Sequence, residues 1–432
     1  MLNNKKMTIA IIGAGYVGLP LASAFAKKHQ VLCYDINKTR VESLNKGIDT
    51  NKQHSKKEII KKNLIFTHNE NLLKNMNIYI ITVPTPIDDS NRPDLTMLKQ
   101  ASLLVGKLIK KKSIVVYEST TFPGCTEEFC IPLIEKISNL KFGKDFGVAY
   151  SPERVNPGDK INILESITKI VGANDKKTLL KVKKLYQTIC KSIYPVLNIK
   201  VAESAKVIEN VQRDINIALV NELGIIFNKL GIPTDEVLKS ASTKWNFHYY
   251  KPGLVGGHCI GVDPYYLVHK AEENNYFPEI MLSGRRLNEN MGKHVAIQTM
   301  NLLSKNKINL VNARIAVLGF SFKDNIPDIR NTKVIQIIKE LQNWNIKVNV
   351  FDPIASKNEV KKIYKINLDD FKDFKKFKYD AIILAVSHKA FLKKIKFYEK
   401  FYKNKSNKIF IDVKNNYLSY DLKKNNFKFF QL

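Results

Sequence analysis

The chain is poor in cysteine, tryptophan and arginine, and poor in acid relative to base. Only Cys33, Cys125, Cys130, Cys190 and Cys259 stand among its 432 residues. They are odd in number, widely scattered, and never in a CxxC pair, which favours a reducing cytoplasm over a disulfide framework. Cys125 and Cys130 lie near a helix start with no histidine beside them. That pattern does not read as a zinc site, so no metal is expected, and packing or reactivity stays open for the pair. No stretch approaches eighteen apolar residues, so no membrane span is expected. The opening MLNNKKMTIAIIGAGYVG puts basic residues before an apolar run, but the run ends at Gly13, too early for a secretory leader, and reads as a strand. Acidic residues number 40 against 70 lysines and arginines, a net charge of +30. The lysines are scattered in KK pairs, with no basic tail, zinc finger or aromatic-interleaved stripe. A nucleic-acid partner is therefore not expected. A polyanionic small substrate would welcome part of this charge.

The chain has ample core material. Hydrophobic residues make up 44% and aromatics 10%, enough for ordered structure, and the length suits two or three domains. The most specific local pattern comes first. The apolar β-branched run TIAII at 8–12 is followed by Gly13-Ala14-Gly15-Tyr16-Val17-Gly18. An amphipathic helix LPLASAFAKKHQ comes next, and then a second strand, VLCYD, ending at Asp35. Strand, glycine turn, helix, strand and acid form the dinucleotide-binding fingerprint in full. Gly13 permits the tight turn, Gly15 lets backbone approach a pyrophosphate, and Gly18 lets the helix pack against the strand. Asp35 is placed to accept from ribose hydroxyls and to repel a 2′-phosphate, which favours NAD over NADP. Arg40 lies close enough to reach the cofactor.

Strand signals continue at IYIITVP (78–84), SIVVYEST (113–120) and FGVAYSPER (146–154). Ligands of open α/β sheets sit beyond the carboxyl ends of strands, which singles out Thr85, Thr120 and Glu153. Residues 202–230 keep helical periodicity throughout. Ala205, Ile208, Ile215, Leu219 and Ile226 share one side, and Lys206, Asn210 and Arg213 share another. A helix this long bridges domains or builds an oligomer interface. A second βαβ pattern starts at ARIAVLGF (313–320), with a strand KVNVFDP and a later one AIILAVS. Only Gly319 is left of a glycine turn there, so no second dinucleotide site is expected. Lys323, Asp328 and Arg330 follow the first strand of this unit and suit phosphates. The expected architecture is α/β, with two Rossmann-like doubly wound domains joined by a long central helix and a small helical region. The boundaries fall at 1–200, 201–305 and 306–432.

The least periodic stretch is PGLVGGHCIGVDPYYL (252–267), a glycine loop carrying one cysteine, with an aspartate four positions on. With GAGYVGLPLA, VPTP, ESTTFPGCTEE, YSPERVNPG, the Lys206–Asn210 helix and FKDNIPDIRNT, it resembles the nucleotide-sugar 6-dehydrogenase family. That family includes UDP-glucose and GDP-mannose dehydrogenases, and the resemblance spans nearly the whole chain. It implies two Rossmann-like domains with the long helix as dimer interface, and a four-electron oxidation of a sugar C6 alcohol to a carboxylate using two NAD⁺ and one water. It implies that Cys259 is the nucleophile, since a tetrahedral thiol adduct gives up its second electron pair more readily than an aldehyde does. Lys206 would stabilise oxyanions, and Asn210 would hold the sugar. Asp263 and Thr120 would position water, and Glu153 would serve thioester hydrolysis.

The same resemblance assigns cofactor contacts to Gly13, Gly15, Tyr16, Val17, Gly18, Asp35, Arg40, Thr85, Thr120 and Arg330. Substrate contacts fall to Glu153, Arg154, Lys206, Asn210, Arg213, Tyr249 and Tyr250, then Gly253, Gly256, Lys323 and Lys414. UDP-glucose enzymes usually read GFGGSCFPKD at the nucleophile. GLVGGHCIGVDP, with His258 before the cysteine, resembles the branch acting on UDP-N-acetylglucosamine or UDP-N-acetylgalactosamine for capsule or O-antigen polysaccharide. His258 would act on the thiolate or on the acetamido group. The family's late arginine is missing from VKNNY, and Lys414 stands in as a point charge without a bidentate fork. The expected activity is NAD-dependent oxidation of a UDP-N-acetylhexosamine by a cytoplasmic homodimer. The alternative within the family is a UDP-glucose or UDP-N-acetylmannosamine 6-dehydrogenase, and a non-catalytic nucleotide-sugar binder is the alternative from another class.

Overall fold

The computed structural model describes residues 7–51, 53–74, 76–155, 161 and 163–432. It divides into two compact units. One runs to Glu209 and takes back Tyr265–Tyr276; the other comprises Asn210–Pro264 and Phe277–Leu432. Residues 156–158 of the YSPERVNPG stretch lie outside the described residues.

The first unit is one eight-stranded sheet. Its strands are β1 (Thr8–Ile12), β2 (Gln30–Tyr34), β3 (Leu64–Thr67), β4 (Ile78–Ile81), β5 (Ile114–Tyr117), β6 (Gly147–Tyr150), β7 (Thr168–Ala173) and β8 (Ser192–Val196). The order is β3-β2-β1-β4-β5-β6-β7-β8. All pairings are parallel except β6 with β7. Strands covered on both faces must be apolar throughout rather than alternating. Accordingly β4 (IYII) and β5 (IVVY) are buried at every residue. The order steps outward in both directions from β1 and β4, which puts the switch point at the glycine turn that follows β1.

The second unit holds a parallel five-stranded sheet built from β9 (Arg314–Leu318), β10 (Lys347–Phe351), β11 (Ala381–Leu384), β12 (Lys408–Asp412) and β13 (Phe427–Gln431). Its order is β10-β9-β11-β12-β13. Val317, Ile337, Ile383 and Ile411 join the core on one face, and Phe351, Phe374, Tyr398 and Phe410 form an aromatic core on the other.

The long helix spans Ile199–Leu230, beginning three residues before the periodicity suggested. Its apolar side faces outward: Ile208 is 54% exposed, Leu219 53%, Ile226 44% and Leu230 65%. Its inward stripe mixes Val207, Val211 and Ala218 with Asn210, Asp214 and Asn221, all buried. Among the described residues no helix is long and apolar enough to cross a membrane.

Candidate active site

In the first unit the site begins where β1 ends. Gly13 turns the chain at φ +104° and donates its N–H to the Tyr34 carbonyl at 2.8 Å. The Thr82 hydroxyl lies 3.0 Å from the Ile12 carbonyl and 2.9 Å from that of Gly13, donating to this edge of the turn. The helix Gly18–Phe25 starts so close to the turn that a Cβ on Gly18 would stand 1.8 Å from the Gly13 carbonyl oxygen. Around Gly15 the reverse holds: a Cβ there would meet nothing within 4 Å. The turn therefore packs tightly at its ends and leaves open space at its middle, where a pyrophosphate needs close backbone approach. The residues present fit NAD.

Asp35 accepts the Ala14 N–H at 2.8 Å on one oxygen and the Asn37 N–H at 2.9 Å on the other, so the acid is tied to the turn it serves. Arg40 braces the same turn from behind. Its Nε donates to the Ala14 carbonyl at 3.1 Å, and one terminal nitrogen donates to Asp49 at 2.7 Å and to Thr50 at 2.8 Å. Burial works to raise the Asp49 carboxyl. The Arg40 guanidinium and the amides of Gln53 and Asn51 outweigh it and hold Asp49 below the usual carboxylate range. Tyr16 is half-buried in the turn, and Val17 packs against the core.

Beyond β4 and β5, Thr85 donates to the Thr120 carbonyl at 2.6 Å. Tyr266, on the segment that returns to this unit, donates its hydroxyl to the Thr85 carbonyl. Past β6, one oxygen of Glu153 accepts the amides of Arg154 at 2.7 Å and Val155 at 2.5 Å. Arg154 itself donates to the Thr168 carbonyl at 2.7 Å and pairs with Glu209 at 2.8 Å. Lys206 is half-buried on the long helix and forms no ion pair among the described residues.

In the second unit, Asn210 donates to Asp263 at 2.5 Å, and both are buried, at 4% and 3% exposure. The Cys259 carbonyl accepts the amides of Val262 at 3.0 Å and Asp263 at 2.8 Å, so the cysteine heads the turn that starts the helix Asp263–Glu273. None of the five cysteines is in a disulfide; Cys33, Cys125, Cys130 and Cys190 are buried, and Cys259 alone is partly exposed. Thiolate chemistry needs access, and here only Cys259 has it.

The loop around Cys259 is clamped from both ends. Asn221 grips the Gly253 peptide, accepting its N–H at 2.8 Å and donating to its carbonyl at 3.1 Å. Asn221 is held in turn by Asn288, which bonds to Asp214 at 2.8 Å, and Asp214 pairs with the buried Arg285 at 2.6 Å. On the other side the Gly257 N–H donates to the Arg330 carbonyl at 3.2 Å. Gly257 sits at φ +85°, with a Cβ position 2.8 Å from the Phe322 ring, and Gly256 has its own 2.9 Å from the Asn331 carbonyl. Two of the loop's glycines are thus required by protein packing.

Beyond β9, Lys414 and Arg330 have protein partners. Lys414 bridges both oxygens of Asp324 at 2.9 Å. Arg330 forks onto Asp328, and the His258 ring lies 3.9 Å from the same carboxylate and edge-on to Phe322. Burial pushes Asp328 upward, but Arg330 and His258 together hold it below the usual range. Lys323 is exposed. Arg213 and Tyr250 are half-buried, and Tyr249 reaches Asp235 at 3.4 Å.

Several supporting residues escaped the sequence reading. Asp352, at the end of β10, accepts the amides of Phe320 at 2.7 Å and Ser321 at 3.0 Å, and His388 at 3.0 Å. It repeats in the second unit the role of Asp35 in the first, and a strand ending in Asp after a glycine strand was the available signal. Burial raises its carboxyl, but His388 and the backbone donors bring it down to about 2. Asp214, Asn221, Arg285 and Asn288, and a buried Glu118–Lys169 pair at 2.6 Å, gave no local signal. Among the described residues no group of three metal-ligating side chains comes together.

Residues 7–190, 200–290 and 316–419 match three models of one family, described as the NAD binding, central and UDP binding domains of the UDP-glucose/GDP-mannose dehydrogenase family. The chain is 50% identical over 393 residues to a UDP-N-acetyl-D-glucosamine 6-dehydrogenase of Salmonella typhi, covering 90% of this chain and 92% of that protein. It is 50% identical over 391 residues to protein CapL of Staphylococcus aureus, with the same coverage. The solved structure of a UDP-D-ManNAc dehydrogenase from Pyrococcus horikoshii superposes with a TM-score of 0.89 at 31% identity, covering 98% of this chain and 99% of that one.

Proposed function

The chain belongs to the UDP-glucose/GDP-mannose dehydrogenase family, and from that premise we propose that it oxidises C6 of a UDP-N-acetylhexosamine to the carboxylate through a Cys259 thioester. As a family member it is an NAD-dependent nucleotide-sugar dehydrogenase. The observation that carries the proposal is the state of Cys259, the one accessible thiol, on a loop gripped by Asn221, with its carbonyl bonded to the amide of Asp263, which in turn accepts from Asn210. The N-acetylated substrate is supported by the GLVGGHCIGVDP loop and by half-identity to relatives named for UDP-N-acetyl-D-glucosamine.

The overall change balances as RCH₂OH + 2 NAD⁺ + H₂O → RCOO⁻ + 2 NADH + 3 H⁺. The turn at Gly13–Gly18 and Asp35 would hold NAD, which would supply the electron acceptor. The chain's own residues do the rest. The Cys259 sulfur adds to the aldehyde carbon, and the tetrahedral adduct can then lose its second electron pair, which leaves a thioester. Lys206 neutralises the developing oxyanion, a role suited to an ammonium that forms no ion pair among the described residues. Asn210 orients Asp263, and Asp263, Thr120 and Glu153 handle the water that releases the acid. Asp324 and Lys414 shape the loop of Lys323 for the diphosphate.

A panel of UDP-sugars tests the substrate assignment. UDP-N-acetylglucosamine or UDP-N-acetylgalactosamine should give a kcat/KM at least about tenfold above UDP-glucose, since an acetamido group recognised by hydrogen bonds contributes at least ~1.4 kcal/mol. Equal or better turnover of UDP-glucose removes the assignment.

The proposal includes a homodimer in the reducing cytoplasm. Cysteines held outside disulfides suit that compartment. The exposed stripe of Ile208, Leu219, Ile226 and Leu230 is a long apolar band that needs cover. Leu219→Glu should convert a dimer to monomer by light scattering while leaving each unit folded; an unchanged mass places the interface elsewhere.

A further inference from the structure

Beside the carboxyl end of β6 the first unit buries a lysine completely. Lys169 has 0% exposure. It lies near the start of β7, the strand that runs against β6, and extending that register past the Tyr150–Gly172 pair sets position 169 beside position 153. The Lys169 Nζ donates to Glu118 at 2.6 Å and to the Pro152 carbonyl at 3.0 Å, and stands 3.7 Å from Glu153. The second oxygen of Glu118 accepts the buried Tyr186 hydroxyl, and Cys190 adds its thiol to the same neighbourhood. One ammonium thus serves two carboxylates. The Glu118 side chain is sealed, and that of Glu153 keeps 15% exposure.

A buried ion pair is a poor way to stabilise a sheet, because two apolar residues of similar volume do as well or better. The contact that an apolar pair does not supply is the one to Glu153. We propose that Lys169 is the positioning residue for Glu153, holding its carboxylate in one orientation from inside the sheet, with Glu118 and Tyr186 packed on the other side of the ammonium. This rests on the reading of Glu153 as the carboxylate that serves thioester hydrolysis. In that step the water oxygen bonds to the acyl carbon and the carbon–sulfur bond breaks. One water proton passes to Glu153 and on to solvent, and the sulfur leaves as thiolate. Neighbouring charge supports the arrangement. Burial raises Glu118 to about 7, against the pull of Lys169. Burial also works to lower Lys169, but Glu118 and Glu153 outweigh it and raise it.

The test compares two changes that a purely structural pair would not tell apart. Glu118→Gln leaves Lys169 and Glu153 as a matched pair, whereas Lys169→Met removes the contact to Glu153. The double variant Lys169→Met/Glu118→Gln puts neutral groups at both sites and secures folding if the single lysine change does not fold. With UDP-N-acetylglucosamine and NAD⁺, Lys169→Met or the double variant should give a burst of two NADH per site, followed by turnover slower by about ten- to a hundredfold. KM should stay within about twofold, and a Cys259-linked acyl adduct should accumulate in the intact mass. Glu118→Gln should turn over within about threefold of the parent, without the adduct. Normal turnover of Lys169→Met, or an equal loss in Glu118→Gln, overturns the role of Lys169. Normal turnover of Glu153→Gln together with Lys169→Met overturns the reading of Glu153 itself.

Discussion

Cys259→Ser should lose acid formation by at least about 10³-fold and still bind NAD with parental affinity. The size of the loss follows from the chemistry. A thiol is a far stronger acid than a serine hydroxyl and its sulfur is intrinsically very nucleophilic, whereas the hydroxyl needs a base to become a nucleophile at all. Without the sulfur adduct the second oxidation loses its donor, so at most one NADH should form per sugar consumed. Removing a nucleophile that acts as part of a unit costs far more than one hydrogen bond. The selectivity follows from the fold. Cys259 belongs to the second unit and the glycine turn to the first, and the Cys259 backbone bonds to Val262 and Asp263 do not depend on its side chain. Titration calorimetry with NAD⁺ checks the binding, and product analysis checks the chemistry. Undiminished acid formation removes Cys259 from its role.

Gly15→Val should do the opposite, leaving the fold intact and weakening NAD by at least about 100-fold, or ~2.7 kcal/mol. Open space surrounds the Gly15 Cβ position, and the residue is not among those with positive φ, so the protein alone tolerates a side chain. The lost space is the approach to the pyrophosphate. The thermal midpoint without ligand should move by no more than about 2 °C. Gly18→Ala is the contrasting change: its methyl would collide with the Gly13 carbonyl, and the midpoint should fall with or without NAD. If Gly15→Val binds NAD as the parent does, the turn is not the cofactor cradle.

These two residues were legible from the sequence because their signals are local. GAGYVG sits between a strand and a helix, and Asp35 closes the following strand, so each part constrains the next. The loop of Cys259 was legible because glycine density and an isolated cysteine stand out against periodic neighbours. Legibility stopped where partners are distant in the chain. Glu118 and Lys169, or Asp214 and Arg285, are charged residues at fully buried positions, and charge predicts exposure unless the partner is known. The cations Arg40, Arg154, Arg330 and Lys414 were expected to meet ligands, and each is engaged by a carboxylate of the protein. A sequence shows that a cation is present but not which anion reaches it. On the long helix the stripe of isoleucine and leucine faces outward while asparagine and aspartate face inward. Periodicity reports that a face exists but not what covers it.

The central claim is a four-electron oxidation carried on one sulfur. The count of NADH formed per uronic acid released, measured on the parent chain with UDP-N-acetylglucosamine or UDP-N-acetylgalactosamine, tests it most directly. The account predicts two NADH per acid with no free aldehyde. One NADH with aldehyde release, or no turnover of any UDP-sugar, contradicts it.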